Sequence, residues 1–270
     1  MSAPHANHPT PDQRASAFYR HALVTLHEQN VPFLVGGAYA FGRYTGIMRD
    51  TKDFDLFVRR RHAMRALRAL ANHGYRAELT YPHWLGKVFH AENFVDVIFD
   101  SGNGVAPVDD EWFAHAREGH VFDVPVQFVP PEEMIWQKSL VQERERYDGA
   151  DIAHLLQACA AELDWDRLLA RYGDYWRVLL SHLVLFGFVY PGERTLIPAP
   201  VVRHLLGKLE TELVTPDPAL AKVCRGTILS RAQYLVDVDL RGYEDARLEP
   251  SGGMSAEEID HWTASIEAAK

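Results

Sequence analysis

The chain has 270 residues, of which 47% are hydrophobic, 11% aromatic and 24% charged, a composition that excludes a disordered, collagen-like or disulfide-stapled chain. Its 28 Lys+Arg against 37 Asp+Glu give a formal net charge of −9, so a nucleic-acid partner would have to meet a local basic patch. Cys159 and Cys224 stand far apart without CxxC spacing and read as small apolar residues of a reduced, cytoplasmic protein.

The first 13 residues, rich in Pro, His and Ala, lack the apolar stretch of a signal peptide and read as a flexible tail. Helical spacing over 11–30 puts Ala15, Phe18, Ala22 and Leu26 on one side, and Pro32 ends it. Phe33-Leu-Val35 reads as a short buried strand, Gly36-Gly37 as its turn, and 38–44 as a short helix. Asp53 to Val58 alternates as a strand, and 62–73 is helical with Ala63, Leu67 and Leu70 on its apolar stripe. Further strands are expected over 75–80, 84–90 and 94–99, then a turn-rich stretch over 100–110. A hairpin follows over 121–129, its turn near Asp123 to Pro125.

From Pro130 the pattern becomes helical, with helices expected near 131–145, 148–162, 164–172, 174–189, 199–213 and 218–236. The apolar run Val178 to Tyr190 is short of the roughly 20 residues a bilayer demands, so no membrane span is expected. Residues 14–130 thus read as an α/β core, 131–240 as a helical domain, and 241–270 as a linker around Pro250-Ser-Gly-Gly253 and a terminal helix.

On a strand, residues two apart share a face, so Asp53 and Asp55 project together while Phe54 and Leu56 face the other way. Asp96 interrupts the apolar run Phe94 to Phe99, where a lone buried carboxylate is costly unless it is paired or binds a metal. Should its strand lie beside Asp53 to Val58, three carboxylates converge and divalent cations with hard oxygen ligands relieve their repulsion. Gly36-Gly37, between a strand and a helix, suits a phosphate. A phosphate cradle facing a magnesium site is the equipment of two-metal nucleotidyl transfer.

The ordered trio Val35-Gly-Gly-Ala38, Arg49-Asp-Thr-Lys-Asp-Phe-Asp-Leu56 and Val95-Asp-Val97 resembles the DNA polymerase beta-like nucleotidyltransferase superfamily. Its wording is similar to bacterial nucleotidyltransferases related to abortive-infection toxins. The resemblance covers about residues 20–160, with a longer interval between Gly37 and Asp53 than the family pattern. It implies a nucleotidyltransferase core with a mixed sheet and a C-terminal α-helical bundle. It also implies that Asp53, Asp55 and Asp96 hold Mg²⁺ or Mn²⁺ and carry catalysis, and that Gly36 and Gly37 receive the β,γ-phosphates of an NTP donor. Lys138, with Arg49 and Thr51 or Arg43, would bind the nucleotide. The product would be an NMP joined to an acceptor hydroxyl, with release of pyrophosphate.

The acceptor is left open between tRNA and a small molecule, and an antitoxin partner is compatible with the toxin-like wording. The acidic charge favours a small molecule. Arg59-Arg60-Arg61 with Arg65 and Arg68, a basic stripe on one helix, favours RNA. The cluster Arg144/Arg146/Asp148/Asp151 reads as helix-end ion pairing. The competing interpretation is a catalytically inactive module that binds nucleotide or a partner on the same fold and releases no pyrophosphate.

Overall fold

The computed structural model describes residues 11–214, 217–250 and 252–264, the first four by their backbone alone. Of the expected tail, residues 11–13 open the first helix, and 1–10 lie outside the described residues.

Helix α1 (Pro11–Glu28) buries Phe18, Tyr19, Ala22, Leu23 and Leu26, the side spaced three and four residues apart that the sequence marks as apolar. It packs on a seven-stranded mixed sheet of order β3-β4-β5-β2-β1-β7-β6. The strands are β1 (Leu34–Val35), β2 (Asp53–Phe57), β3 (Arg76–Tyr81), β4 (Leu85–His90), β5 (Asn93–Ile98), β6 (Arg117–Val121) and β7 (Val124–Phe128). Two neighbouring pairs, β2 with β5 and β1 with β7, are parallel; the remaining pairs are antiparallel. Leu34, Val35, Phe54, Leu56, Val88, Val95 and Val97 are wholly buried, so the middle of the sheet carries the core. Each such side chain contributes roughly 1.5–3 kcal/mol by leaving water.

Helix α2 (Gly37–Thr45) follows β1 directly, and α3 (Arg60–Ala71) follows β2. A Cβ built on Gly86 would collide with Leu67, so α3 covers the face of β4 opposite Lys87, two-residue alternation giving each face its own set. After β5 the stretch expected as turns contains a short helix, α4 (Asp110–Ala114), because the Asp109 carboxylate accepts from the amides of Glu111 and Trp112 and caps it. The hairpin spans 117–128 rather than 121–129. Its turn is Phe122-Asp123, both at positive φ, as the twist of a two-residue hairpin demands, and Pro125 sits inside β7 opposite His120.

The C-terminal helices are α5 (Pro131–Ser139), α6 (Gly149–Cys159), α7 (Trp165–Tyr172), α8 (Trp176–Val189) and α9 (Ala199–Val214). The helix expected to reach 145 ends at Ser139, and the chain beyond it is drawn away: the Glu143 carboxylate accepts from the Ser230 hydroxyl and the Arg231 amide. The single helix expected over 218–236 is replaced by a turn, a strand β8 (Val223–Cys224) and helices α10 (Gly226–Leu229) and α11 (Leu235–Arg241). Here tertiary pairing overrides helical pattern, since β8 pairs in parallel with β9 (Glu244–Asp245), whose Asp245 holds the fully buried Arg247. The terminal helix α12 (Ala256–Ala264) is docked through Trp262, which packs on Tyr81 and Trp84.

Buried side chains form one continuous cluster from Phe18 in α1 to Ala246 beyond β9. Cys159 and Cys224 are both free thiols, and burial pushes Cys159 up to about 11. Among the described residues, no helix is long and apolar enough to cross a membrane.

Candidate active site

Strand β2 presents Asp53 and Asp55 on one face and buries Phe54 and Leu56 on the other. Parallel pairing puts Asp55 beside Asp96 of β5 and Asp53 beside Phe94, so the same alternation brings all three carboxylates to one face. An oxygen of each lies within 4.8 Å of the others. Burial first, then the charges of Asp53 and Asp96, push the Asp55 carboxyl up to about 7. Asp96 is raised as well, burial outweighing the hydrogen bond and charge of Lys87. Three hard oxygen donors in excess of local positive charge fit a divalent cation such as magnesium or manganese.

The turn before α2 explains its glycines. Gly37 adopts φ +53, and a Cβ there would overlap the Asp55 carboxylate, so only glycine lets the helix N-terminus come this close. Gly37 and Ala38 line the cleft, where the opening amides of a helix have no intrahelical acceptor. Gly36 does not line it: its amide donates to the Asp55 carbonyl at 3.0 Å, and a Cβ there would meet Phe57. Of the two expected phosphate ligands, Gly37 alone faces the cleft.

The other expected nucleotide ligands are present in the cleft but already engaged. The Thr51 hydroxyl donates to the Asp53 carboxylate, which fixes the rotamer of that aspartate. Arg49 forks onto Asp151 at 2.5 and 3.1 Å and lies 4.4 Å from the Phe41 ring centroid. Lys138 of α5 donates to Asp151 at 2.8 Å and to Asp148 at 3.1 Å, and Arg146 forks onto Asp148. Burial opposes ionisation of Asp151, but the Arg49 hydrogen bond and the Lys138 charge outweigh it and hold its carboxyl below the usual range. Arg43 is exposed on α2 and does not line the cleft.

Together these walls enclose a cleft of about 490 Å³, within the range of small-molecule sites. Its far side is aromatic: Trp84 and Trp262 meet edge to face at 5.2 Å, and the Arg231 guanidinium lies 4.6 Å from the Trp262 ring centroid. Sequence reading missed Lys87, whose ammonium is 2.7 Å from Asp96 Oδ1. The signal was available, because Lys87 and Asp96 face each other when counted outward from the two-residue turn at Ala91-Glu92. The roles of Thr227, Ile228 and Arg231 in lining the cleft carried no signal, since they come from the segment misread as one helix, and Trp262 comes from the terminal helix, whose docking the sequence does not give.

The basic stripe lies elsewhere. On α3 and its N-cap, across the sheet from the carboxylates, Arg59 and Arg61 pair with Asp110, Arg60 donates to the carbonyls of Pro82 and His83, and Arg65 donates to the carbonyl of Gln29.

A family model described as an uncharacterised nucleotidyltransferase matches residues 15–180. No curated protein matches the sequence. Among solved structures, the antibiotic-resistance factor ANT(2'')-Ia is 19% identical with a TM-score of 0.43, covering 63% of this chain and 97% of its own. The lincosamide antibiotic adenylyltransferase LnuA, solved with lincomycin, is 17% identical with a TM-score of 0.38, covering 55% of this chain and 98% of its own. The polyadenylate synthase of Megavirus is 12% identical with a TM-score of 0.36, covering 58% of this chain and 39% of its own.

Proposed function

Because the chain belongs to the uncharacterised nucleotidyltransferase family, we propose that it transfers an NMP from an NTP to the hydroxyl of a small molecule, releasing pyrophosphate. The observation that carries this reading is the convergence of Asp53, Asp55 and Asp96 within 4.8 Å, facing a helix N-terminus that only Gly37 permits.

Asp53, Asp55 and Asp96 would hold Mg²⁺ or Mn²⁺. A cation bound there supplies stabilisation of the charge that builds on the phosphoryl group in transfer. The chain's own residues do the rest. The α2 N-terminus at Gly37-Ala38 and the Lys138 and Arg49 cations receive the negative tail of the triphosphate, with Asp148 and Asp151 holding both cations in place. Thr51 keeps Asp53 turned toward its partners. Asp96, at the edge of the trio nearest β4, would help to deprotonate the acceptor hydroxyl.

Charge favours a small acceptor over RNA. Among the described residues, eight carboxylates and four basic side chains line the cleft, so beyond the triphosphate cations no basic track follows a nucleic-acid backbone there. The basic stripe that favoured RNA is on the opposite face, with Arg59, Arg60, Arg61 and Arg65 engaged with the protein itself. The abortive-infection resemblance implies instead a tRNA acceptor and an antitoxin partner, and we rank that reading second.

The test is incubation of the protein with each labelled NTP, Mg²⁺ or Mn²⁺, and either tRNA or a panel of hydroxyl-bearing neutral and cationic small molecules. Label moving to a small molecule with pyrophosphate release is the expected result. Label on tRNA would replace the acceptor. Nucleotide binding with no pyrophosphate release under any condition would favour an inactive nucleotide-binding module.

A further inference from the structure

We propose that Lys87 is a positioning residue: by occupying one oxygen of Asp96 it leaves that side chain a single oxygen for a cation, and it sets how tightly the carboxylate site holds one. The inference rests on reading Asp53, Asp55 and Asp96 as a metal site.

Lys87, Asp96 and Asp55 form one row across three strands, Lys87 opposite Asp96 in the antiparallel pair and Asp96 beside Asp55 in the parallel pair. The Lys87 ammonium donates to Asp96 Oδ1 at 2.7 Å and stands 4.1 Å from the Phe94 ring centroid. Phe94 precedes Asp96 by two residues on the same face, so the ammonium is wedged between the ring and the carboxylate. Its side chain is 22% exposed, which leaves little water to compete for it. Lys87 does not line the cleft, so it stands behind Asp96 and acts through it rather than on a substrate.

Two consequences follow. Orientation is the first: with Oδ1 engaged, Oδ2 is the oxygen left for a cation, whereas Asp53 and Asp55 form no ion pair among the described residues, Asp53 accepting only the neutral Thr51 hydroxyl. Charge is the second. A fixed positive charge one carboxylate away from a bound cation opposes its binding, so Lys87 holds Asp96 in place at the expense of cation affinity. A lysine that served only to neutralise a buried carboxylate would, on removal, lower stability and tighten the site while leaving turnover per folded molecule unchanged.

Calorimetric titration of Mn²⁺ into the nucleotide-free full chain separates these roles, with turnover measured alongside. Lys87→Met is expected to bind Mn²⁺ about tenfold more tightly than wild type. Its pyrophosphate release should fall by about tenfold, with KM for the NTP unchanged, because Asp96 is no longer aimed. Lys87→Arg, which keeps the charge and the donor, should return both properties toward wild type. Lys87→Gln, neutral and polar, replaces the methionine variant if that fails to fold. Equal or weaker Mn²⁺ binding in the neutral variant overturns the role of Lys87 while leaving the metal site standing. No Mn²⁺ heat in wild type overturns the metal site, and the role of Lys87 with it.

Discussion

Among the described residues, two clusters of three acidic side chains are balanced differently. In one, Glu132 and Glu133 of α5 and Asp109 at the α4 cap meet two guanidinium forks. Arg167 reaches both glutamates, and Arg171 reaches Glu133 at 3.1 Å and Asp109 at 2.6 Å. In the other, among the described residues, Asp53, Asp55 and Asp96 have a single ion-pair partner, the Lys87 ammonium on Asp96. Burial raises carboxyls in both, Glu133 as well as Asp55, so burial alone does not mark a functional site. What differs is whether the protein supplies the opposite charge. The first cluster is closed and ties α5 to α7. The second is left short of positive charge on the wall of a cleft, the condition under which a cation from solution completes it.

The comparison can be broken from either side. Asp55→Asn is expected to cut pyrophosphate release by about 10³-fold at saturating NTP while the circular dichroism spectrum is retained. A variant with wild-type turnover would remove Asp55 from the site. Arg167→Met should do the reverse, lowering unfolding free energy in urea by about 3–5 kcal/mol because buried Glu132 loses its guanidinium and buried Glu133 keeps only Arg171, while turnover per folded molecule stays near wild type. Loss of turnover without loss of stability would make the closed cluster functional too.

The smallest expected effect concerns pH. The Asp55 carboxyl titrates at about 7 in the folded protein, above its ordinary 3.8, so the folded state holds a proton that the unfolded chain gives up. Stability of the metal-free protein therefore falls as pH rises from the ordinary carboxylate range through 7. Asp55→Asn is spared this fall: near pH 4 its melting temperature should match wild type, and at pH 8 without metal exceed it by about 5 °C. Added Mg²⁺ should close that gap by raising wild type alone. A gap independent of pH would show that repulsion within the trio is not its source.

Of the balanced-versus-unbalanced contrast, the acidic trio was legible in the chain and the closed cluster was not. The pairing of Asp53 with Asp55 follows from two-residue alternation, and the cost of Asp96 from its apolar neighbours. Their convergence was conditional, because the parallel pairing of β2 with β5 joins segments some forty residues apart and no local pattern encodes that register. The engagement of Arg49, Thr51 and Lys138 with acidic partners was likewise invisible, since residue type gives the charge of a side chain but not who neutralises it. The segment over 218–236 failed for a different reason. Its helical spacing is real, yet pairing of Val223–Cys224 with Glu244–Asp245 and the burial of Arg247 won over local preference.

Of the six tryptophans, Trp84 and Trp262 are the two that line the cleft; Trp112, Trp136 and Trp176 are buried in the core, and Trp165 is half-buried outside the cleft. The molecule therefore carries intrinsic fluorophores on the wall of its own site, in contact with each other and, through Trp262, with the Arg231 guanidinium. Whatever enters there alters the polarity around two indoles, so occupancy can be followed by emission from the unlabelled protein, before its natural ligand has been identified.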